Sequence, residues 1–94
     1  WYNGFMKKFR QLERIVKGFA NHRRIEIMAL LDKSPELSVM EIADTLRINF
    51  KTASEHIRRL AIAGLVMKRS EGSNVRHTLT PQARNVLKFL RILE

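Results

Sequence analysis

Apolar side chains recur at helical spacing through the first third of the chain. Between residues 5 and 19 every third or fourth residue is apolar and basic residues occupy the other sides, which predicts a basic amphipathic helix. Asn21 is a suitable N-cap for a second helix that runs to about Lys33, where Ser34 and Pro35 stop it. The inward positions of this second helix are predicted to be Ile25, Met28, Ala29 and Leu31.

Two shorter helices joined by a tight turn follow. Ser38 and Glu41 have the spacing of a capping box, which predicts a short helix ending just before Arg47. Asn49 can cap the next helix, and Gly64 ends it. Arg47 stands in the turn where glycine is common, and a left-handed backbone there costs on the order of 1 kcal/mol. The buried side of the two helices is predicted to consist of Val39, Ile42, Ala43, Leu46, Ala53, Ile57 and Leu60.

Beyond Gly64 the pattern changes from helical spacing to short extended segments. Segments 65–69 and 75–79, joined by turn-forming residues 70–74, predict a β-hairpin. Thr80 as N-cap and a proline in the first helical position then begin a last helix that extends to residue 93. The sequence therefore predicts one domain, residues 1–94, that is mainly α with a small β-hairpin. About five helices plus a two-stranded wing is the element order of a winged helix-turn-helix.

Charge and composition narrow the range of functions. Lysine and arginine outnumber aspartate and glutamate by 18 to 9, and a net charge of +9 on so small a chain favours a polyanionic partner. The absence of cysteine excludes disulfides, thiolate metal sites and thiol catalysis. The sequence has no Gly-rich phosphate loop and no nucleophile with a matching base, so we expect no enzyme. No apolar run approaches the roughly 18 residues of a membrane span, and no signal sequence opens the chain, so a cytoplasmic location without membrane association is expected.

The stretch IADTLRINFKTASEHIRRLAIAGLVMKRSEGSNVRHTLT, residues 42–80, resembles the DNA-binding core of ArsR-type bacterial regulators and, as a second choice, of MarR-type regulators. The resemblance implies a transcriptional regulator, expected to be a repressor, that binds double-stranded DNA. In these families the second helix of the pair reads the duplex and the wing contacts the flanking backbone.

The second helix of the pair has one side buried and one side free for DNA. Side chains near its N-terminal end can reach base edges in the major groove. Lys51 can donate to guanine, Thr52 can contact a thymine methyl group or a base heteroatom, and Glu55 can accept from the amino group of cytosine. Arg58 and Arg59 suit phosphates, although Glu55 can instead pair with either arginine at i+3 or i+4. The predicted DNA-facing residues of this helix are Lys51, Thr52, Ser54, Glu55, Arg58 and Arg59.

The hairpin offers further contacts suited to phosphates or to the minor groove. The alternative is that its charges are simply solvated. The predicted DNA-binding residues of the wing are Lys68, Arg69, Ser73, Asn74 and Arg76.

The segment ELSVMEIA, residues 36–43, resembles the metal-sensing ELCVCDLA stretch of ArsR-type repressors. Ser38 and Met40 stand where that family has cysteines. His22, His56 and His77 are scattered along the chain, so no substitute zinc site is expected. The sequence predicts no metal and no cofactor, and we expect His56 to be structural or to contact phosphate.

The terminal helices, residues 5–19 and 81–93, carry more apolar side chains than one small core readily absorbs, so part of this surface is expected to lie between two chains. ArsR-type proteins dimerise through these helices, and a two-fold axis sets the recognition helices about 34 Å apart, which predicts an inverted-repeat operator. The predicted interface consists of Phe5, Phe9, Leu12, Val16, Val86, Phe89, Leu90 and Leu93. The alternatives are a monomer whose terminal helices cover the core, a winged helix that docks proteins without base readout, and a membrane-surface role for the first helix. The sequence does not identify a small-molecule inducer.

Overall fold

The computed structural model describes the backbone of residues 2–94, the side chains of residues 6–94, and Gly4. Across these residues the chain forms five α-helices and one two-stranded antiparallel sheet, which confirms the predicted fold class. The elements are α1 (Tyr2–Phe19), α2 (His22–Lys33), α3 (Val39–Leu46), α4 (Phe50–Ile62), β1 (Val66–Glu71), β2 (Asn74–Leu79) and α5 (Pro81–Leu93).

Polar side chains fix where four of the helices begin. Asn21, Ser38, Asn49 and Thr80 each accept hydrogen bonds from backbone amides in the first turn of the helix that follows. The predicted capping box at α3 is complete, because Ser38 accepts from the amide of Glu41 and the Glu41 carboxylate accepts from the amide of Ser38. These caps set the direction in which each helix leaves its loop.

The hairpin is longer and tighter than its sequence predicted. Its register runs from Val66 opposite Leu79 to Glu71 opposite Asn74, so most of the predicted loop 70–74 belongs to the strands. Gly72 has a φ of +61°, which suits the first position of a two-residue hairpin turn. The pairing of the two strands therefore continues almost to the tip of the hairpin.

The core contains side chains from every element, but its α2 part differs from the prediction. Ala29 is exposed, whereas Ile27, which the prediction missed, is fully buried. The two residues lie on nearly opposite sides of the helix, and α2 packs against α3, α4, α5 and β2. A helix covered on several sides loses the clear stripe on which the prediction depended.

A glycine lets α1 approach α4 closely. A Cβ atom added at Gly18 would lie 2.3 Å from the Cβ atom of Ala63. Helix backbones come this near only where one side chain is absent, so Gly18 determines how α1 sits on the end of α4.

Candidate nucleic-acid interface

The tight turn between α3 and α4 places α4 on the outside of the molecule. Arg47 adopts the left-handed conformation that the sequence raised as a possibility, with φ 55° and ψ 47°. The Asn49 side chain accepts from the amides of Lys51 and Thr52 at 2.8 and 3.4 Å, which fixes the first turn of α4. Ala53 and its helical neighbours Ile57 and Leu60 are fully buried, as predicted, so the opposite side of α4 faces solvent.

The N-terminal half of that free side carries Lys51 and Thr52, two of the three side chains that the sequence assigned to base contact, together with Ser54 from the predicted DNA-facing set. Lys51, Thr52 and Ser54 are all exposed. The structure adds Phe50, which sequence reasoning missed and which is 50% exposed at the first helical position. Phe50 stands three residues before buried Ala53 and seven before the next buried residue of α4, which is the buried spacing of this helix, so no signal in the sequence indicated this exposure. An exposed aromatic ring beside Lys51 can contact a thymine methyl group.

The C-terminal half of the same side is an ion-pair cluster. The Glu55 carboxylate accepts from Nε and Nη2 of Arg58 at 3.0 and 2.8 Å and from Nε of Arg59 at 3.0 Å. These hydrogen bonds lower the pKa of Glu55 from its ordinary 4.5 to about 2. In the DNA-free protein Glu55 therefore makes the alternative contact that its i+3 and i+4 spacing indicated.

The predicted DNA-binding residues of the wing are only partly available for contact with DNA. Lys68, Ser73 and Asn74 are exposed. Arg69 and Arg76, in contrast, each bond to a carboxylate near the start of α3. Arg69 Nε donates to Glu36 at 2.7 Å, and Arg76 Nη1 donates to Glu41 at 2.8 Å. These two ion pairs connect the wing to the N-terminal end of α3, so both arginines also hold the wing in place.

A buried histidine forms a second connection at the base of the wing. His77 is 1% exposed, and its Nδ1 lies 2.8 Å from the carbonyl oxygen of Leu37. Leu37 and His77 also pair as an isolated antiparallel bridge, which attaches the loop before α3 to β2. Burial lowers the pKa of His77 because it disfavours the charged form. His77 is therefore a structural residue of the wing.

His56 links α4 to the C-terminal end of α1. Its Nδ1 accepts from Nε of Arg24 at 3.2 Å, and Nη1 of the same arginine donates to the carbonyl oxygens of Lys17 and Gly18. Burial and the positive charge of Arg24 lower the pKa of His56. Of the two roles expected for His56, structural or phosphate-contacting, this geometry fits the structural one.

The terminal helices leave an apolar groove open between α1 and α5. The groove has a volume of about 230 Å³, and its lining includes Leu12, Val16 and Phe89. Phe9, Leu12, Val16, Phe89 and Leu93 are exposed and Leu90 is half-buried. Val86 also lines the groove, although it is only 9% exposed and packs mainly in the core of its own chain. The predicted interface residue Phe5 lies outside the described side chains.

Neither a metal site nor a membrane-spanning helix is found in the described part of the chain. Its His, Asp and Glu side chains form no group of three that could hold a metal ion. Its helices include none that is long and apolar enough to cross a membrane.

Comparison with known proteins identifies the family. Residues 21–68, which run from the N-cap of α2 through α3 and α4 into β1, match the family described as bacterial regulatory proteins, arsR family. The chain belongs to the ArsR family. It is therefore a transcriptional regulator with a winged helix-turn-helix of the DNA-binding kind, and it is not an enzyme.

Individual relatives agree with this assignment. An uncharacterized HTH-type transcriptional regulator of Methanocaldococcus jannaschii is 29% identical over 90% of this chain and 97% of its own length. The transcriptional activator HlyU of Vibrio cholerae is 36% identical over 70% of this chain and 60% of its own. A solved structure from Mycobacterium bovis, described as a homodimeric winged helix-turn-helix DNA-binding domain of a possible ArsR-family regulator, superposes with a TM-score of 0.85. That structure is 28% identical, and the match covers 94% of this chain and 82% of that one.

Proposed function

We propose that this ArsR-family chain is a homodimeric repressor that binds an inverted-repeat operator in double-stranded DNA. The observation that carries the proposal is the division of α4 into a fully buried side and a free side. The free side has Lys51, Thr52 and Ser54 in its first turns. An α-helix held in this way fits the major groove, which is about 12 Å wide. A DNA partner implies action in the cytoplasm.

The side chains divide between base contact and phosphate contact. Lys51 and Thr52 read base edges because they lie at the N-terminal end of α4, and Ser54 lies beside them. Arg58 and Arg59 contact phosphates, and DNA competes for them with Glu55, which holds both arginines through three hydrogen bonds in the DNA-free protein. The wing contacts the backbone on the flank with Lys68, Arg69, Ser73, Asn74 and Arg76.

The groove between α1 and α5 supports the dimer. Exposed Leu12, Val16 and Phe89 form an apolar surface that a second copy would cover. The solved M. bovis relative is described as homodimeric. A two-fold axis through these helices would set two recognition helices about 34 Å apart, one turn of DNA.

Repression would need only occupancy of an operator that overlaps a promoter, because a bound dimer would exclude the polymerase without any further surface. HlyU of V. cholerae is named an activator. A reporter gene placed downstream of an operator selected from random duplex DNA distinguishes repression from activation. We expect reporter expression to fall when the protein is present, and a rise would show that the protein is an activator.

Fluorescence anisotropy with labelled duplexes tests DNA contact by α4. About six to ten phosphate contacts per dimer should reduce affinity by about 10³-fold or more between roughly 50 and 200 mM salt. Lys51→Ala should relax preference at one base pair per half-site and weaken preferred-operator binding by about 1 to 3 kcal/mol. Lys33→Ala removes an exposed lysine from the end of α2 and is the matched control.

Two results would contradict the proposal. Affinity that stays flat across the salt range would favour a protein-docking domain. If Lys51→Ala and Lys33→Ala weaken specific and random duplexes in the same proportion, Lys51 does not read bases.

Analytical ultracentrifugation tests the dimer separately. Phe89→Glu places a charge in the apolar groove and should yield folded monomers with much weaker operator binding. Arg84→Glu places a glutamate on the far side of α5 and should leave the dimer intact. A wild-type mass near 11.0 kDa at micromolar concentration would show a monomer and overturn this part of the proposal.

A further inference from the structure

A second cavity lies between the C-terminal half of α1, the start of α2 and the end of α4. Its volume is about 190 Å³, and it opens to solvent beside the recognition helix. We call it the α1–α4 cleft. Its basic lining consists of Arg14, Lys17, Arg24 and Arg59.

Positive charge is in excess in the α1–α4 cleft. Within the described residues, two carboxylates contact these cations, Glu13 at 3.3 Å from Lys17 and Glu55 at 3.0 Å from Arg59. Arg14 has neither an ion pair nor a side-chain hydrogen bond in the described part of the chain. Several cations converging around one small concave space create a field that attracts an anion.

One of these cations is held in place before any ligand arrives. Nη1 of Arg24 donates to the carbonyl oxygens of Lys17 and Gly18 at 3.1 and 3.2 Å, and its Nε donates to His56 at 3.2 Å. A fixed guanidinium loses little conformational freedom on binding, so a preorganised charge contributes more to affinity than a flexible one.

The floor of the α1–α4 cleft is apolar. It is formed by Gly18 and Ala63, where α1 and α4 touch, and by Ile62, which is 61% exposed. A bare phosphate would leave this surface uncovered. Small-molecule sites characteristically combine an apolar surface with a few placed polar groups.

We propose that the α1–α4 cleft binds a small organic anion, with a carboxylate among the arginines and an apolar body against Ile62 and Ala63. Because Arg59 belongs both to the cleft and to the outer side of α4, a bound anion would draw Arg59 away from DNA. This consequence for DNA rests on the function proposed above, whereas the binding itself does not.

Amide chemical shifts of the DNA-free protein test binding directly, with sodium benzoate as the probe. Benzamide has the same shape without the charge, and inorganic phosphate has charge without the apolar body. We expect benzoate to shift the amides of Gly18, Arg24 and Ala63 at millimolar concentration and to bind at least about threefold more tightly than either comparison compound.

The variant Arg14→Gln with Lys17→Gln should weaken benzoate binding by at least about threefold. Arg10→Gln removes an exposed cation one turn earlier on α1, outside the cleft, and should not. No shift at the cleft would overturn the proposal. Equal binding of benzamide would remove the need for charge, and equal binding of phosphate would remove the need for an apolar body, so either result would also overturn it.

A duplex titration at constant ionic strength separates a free anion from a DNA phosphate as the occupant. We expect benzoate to weaken wild-type DNA binding, and Arg14→Gln with Lys17→Gln to remove that response. The double variant is also compared with Arg10→Gln in the absence of benzoate. If the double variant weakens duplex binding much more per charge removed than Arg10→Gln does, the cleft holds a DNA phosphate and the proposal is wrong. If benzoate shifts the amides of the cleft but does not change the affinity for DNA, the site stands and its link to DNA through Arg59 is refuted.

Discussion

Replacing Glu55 by glutamine decides what this carboxylate does on the recognition helix. In the DNA-free protein Glu55 bonds to both Arg58 and Arg59, and its side chain is 49% exposed. Glutamine keeps the size of the side chain and removes its charge. Because exposed ion pairs contribute little to stability, the variant should remain folded.

The size of the effect follows from the number of arginines released. Each additional phosphate contact steepens the dependence of log affinity on log salt by about 0.9. If one arginine in each protomer gains a phosphate, the affinity gain should be about tenfold larger at roughly 50 mM than at roughly 200 mM salt. The gain should be the same for operator and random duplexes, since phosphates carry no sequence information.

Fluorescence anisotropy over this salt range measures both quantities. Glu26→Gln is the matched control, because Glu26 forms an i,i+3 pair with Arg23 on α2 that resembles the pair between Glu55 and Arg58. The pKa of Glu55 is about 2, so the effect should not depend on pH near neutrality. If the Glu55→Gln variant instead binds its operator more weakly and tolerates a change at one cytosine, Glu55 reads that base and the reasoning fails.

Three further predictions concern stability. Gly18→Ala should destabilise the fold by about 1 to 3 kcal/mol because the new Cβ atom meets Ala63, and adding Ala63→Gly should restore part of the loss in a urea titration. Arg47→Gly should raise the free energy of unfolding by about 0.5 to 1 kcal/mol by relieving a left-handed backbone, and an unchanged urea midpoint would show that Arg47 is not strained. Burial lowers the pKa of His77 and of His56, so the unfolded chain takes up these protons first and stability should fall as pH drops below about 6.5. The melting temperature should therefore fall more steeply in wild-type protein than in His77→Gln over that pH range.

Local signals in the sequence predicted the helices well, because a cap depends on residues only two or three positions apart. Asn21, Ser38, Asn49 and Thr80 all cap the helices that they were expected to cap. The same locality explains Glu55, whose partners are its own helical neighbours.

Long-range contacts were beyond such reasoning. Arg69 and Arg76 were predicted as wing contacts to DNA, but their bonds to Glu36 and Glu41 join residues more than thirty positions apart. Leu37 pairs with His77 as a single residue outside any strand, and one residue is too short to leave an alternating apolar and polar pattern in the sequence. Ala29 was wrongly assigned to the inward side of α2, because a helix that is covered on several sides has no single apolar stripe to guide the assignment.

Selection of binding sites from random duplex DNA tests the central claim most directly, since it requires base contact and dimer geometry together. The proposal predicts enrichment of an inverted repeat whose half-sites are about 10 base pairs apart from centre to centre. Recovery of a single, unrepeated half-site would contradict the dimer, and recovery of unenriched sequence would contradict base readout by α4.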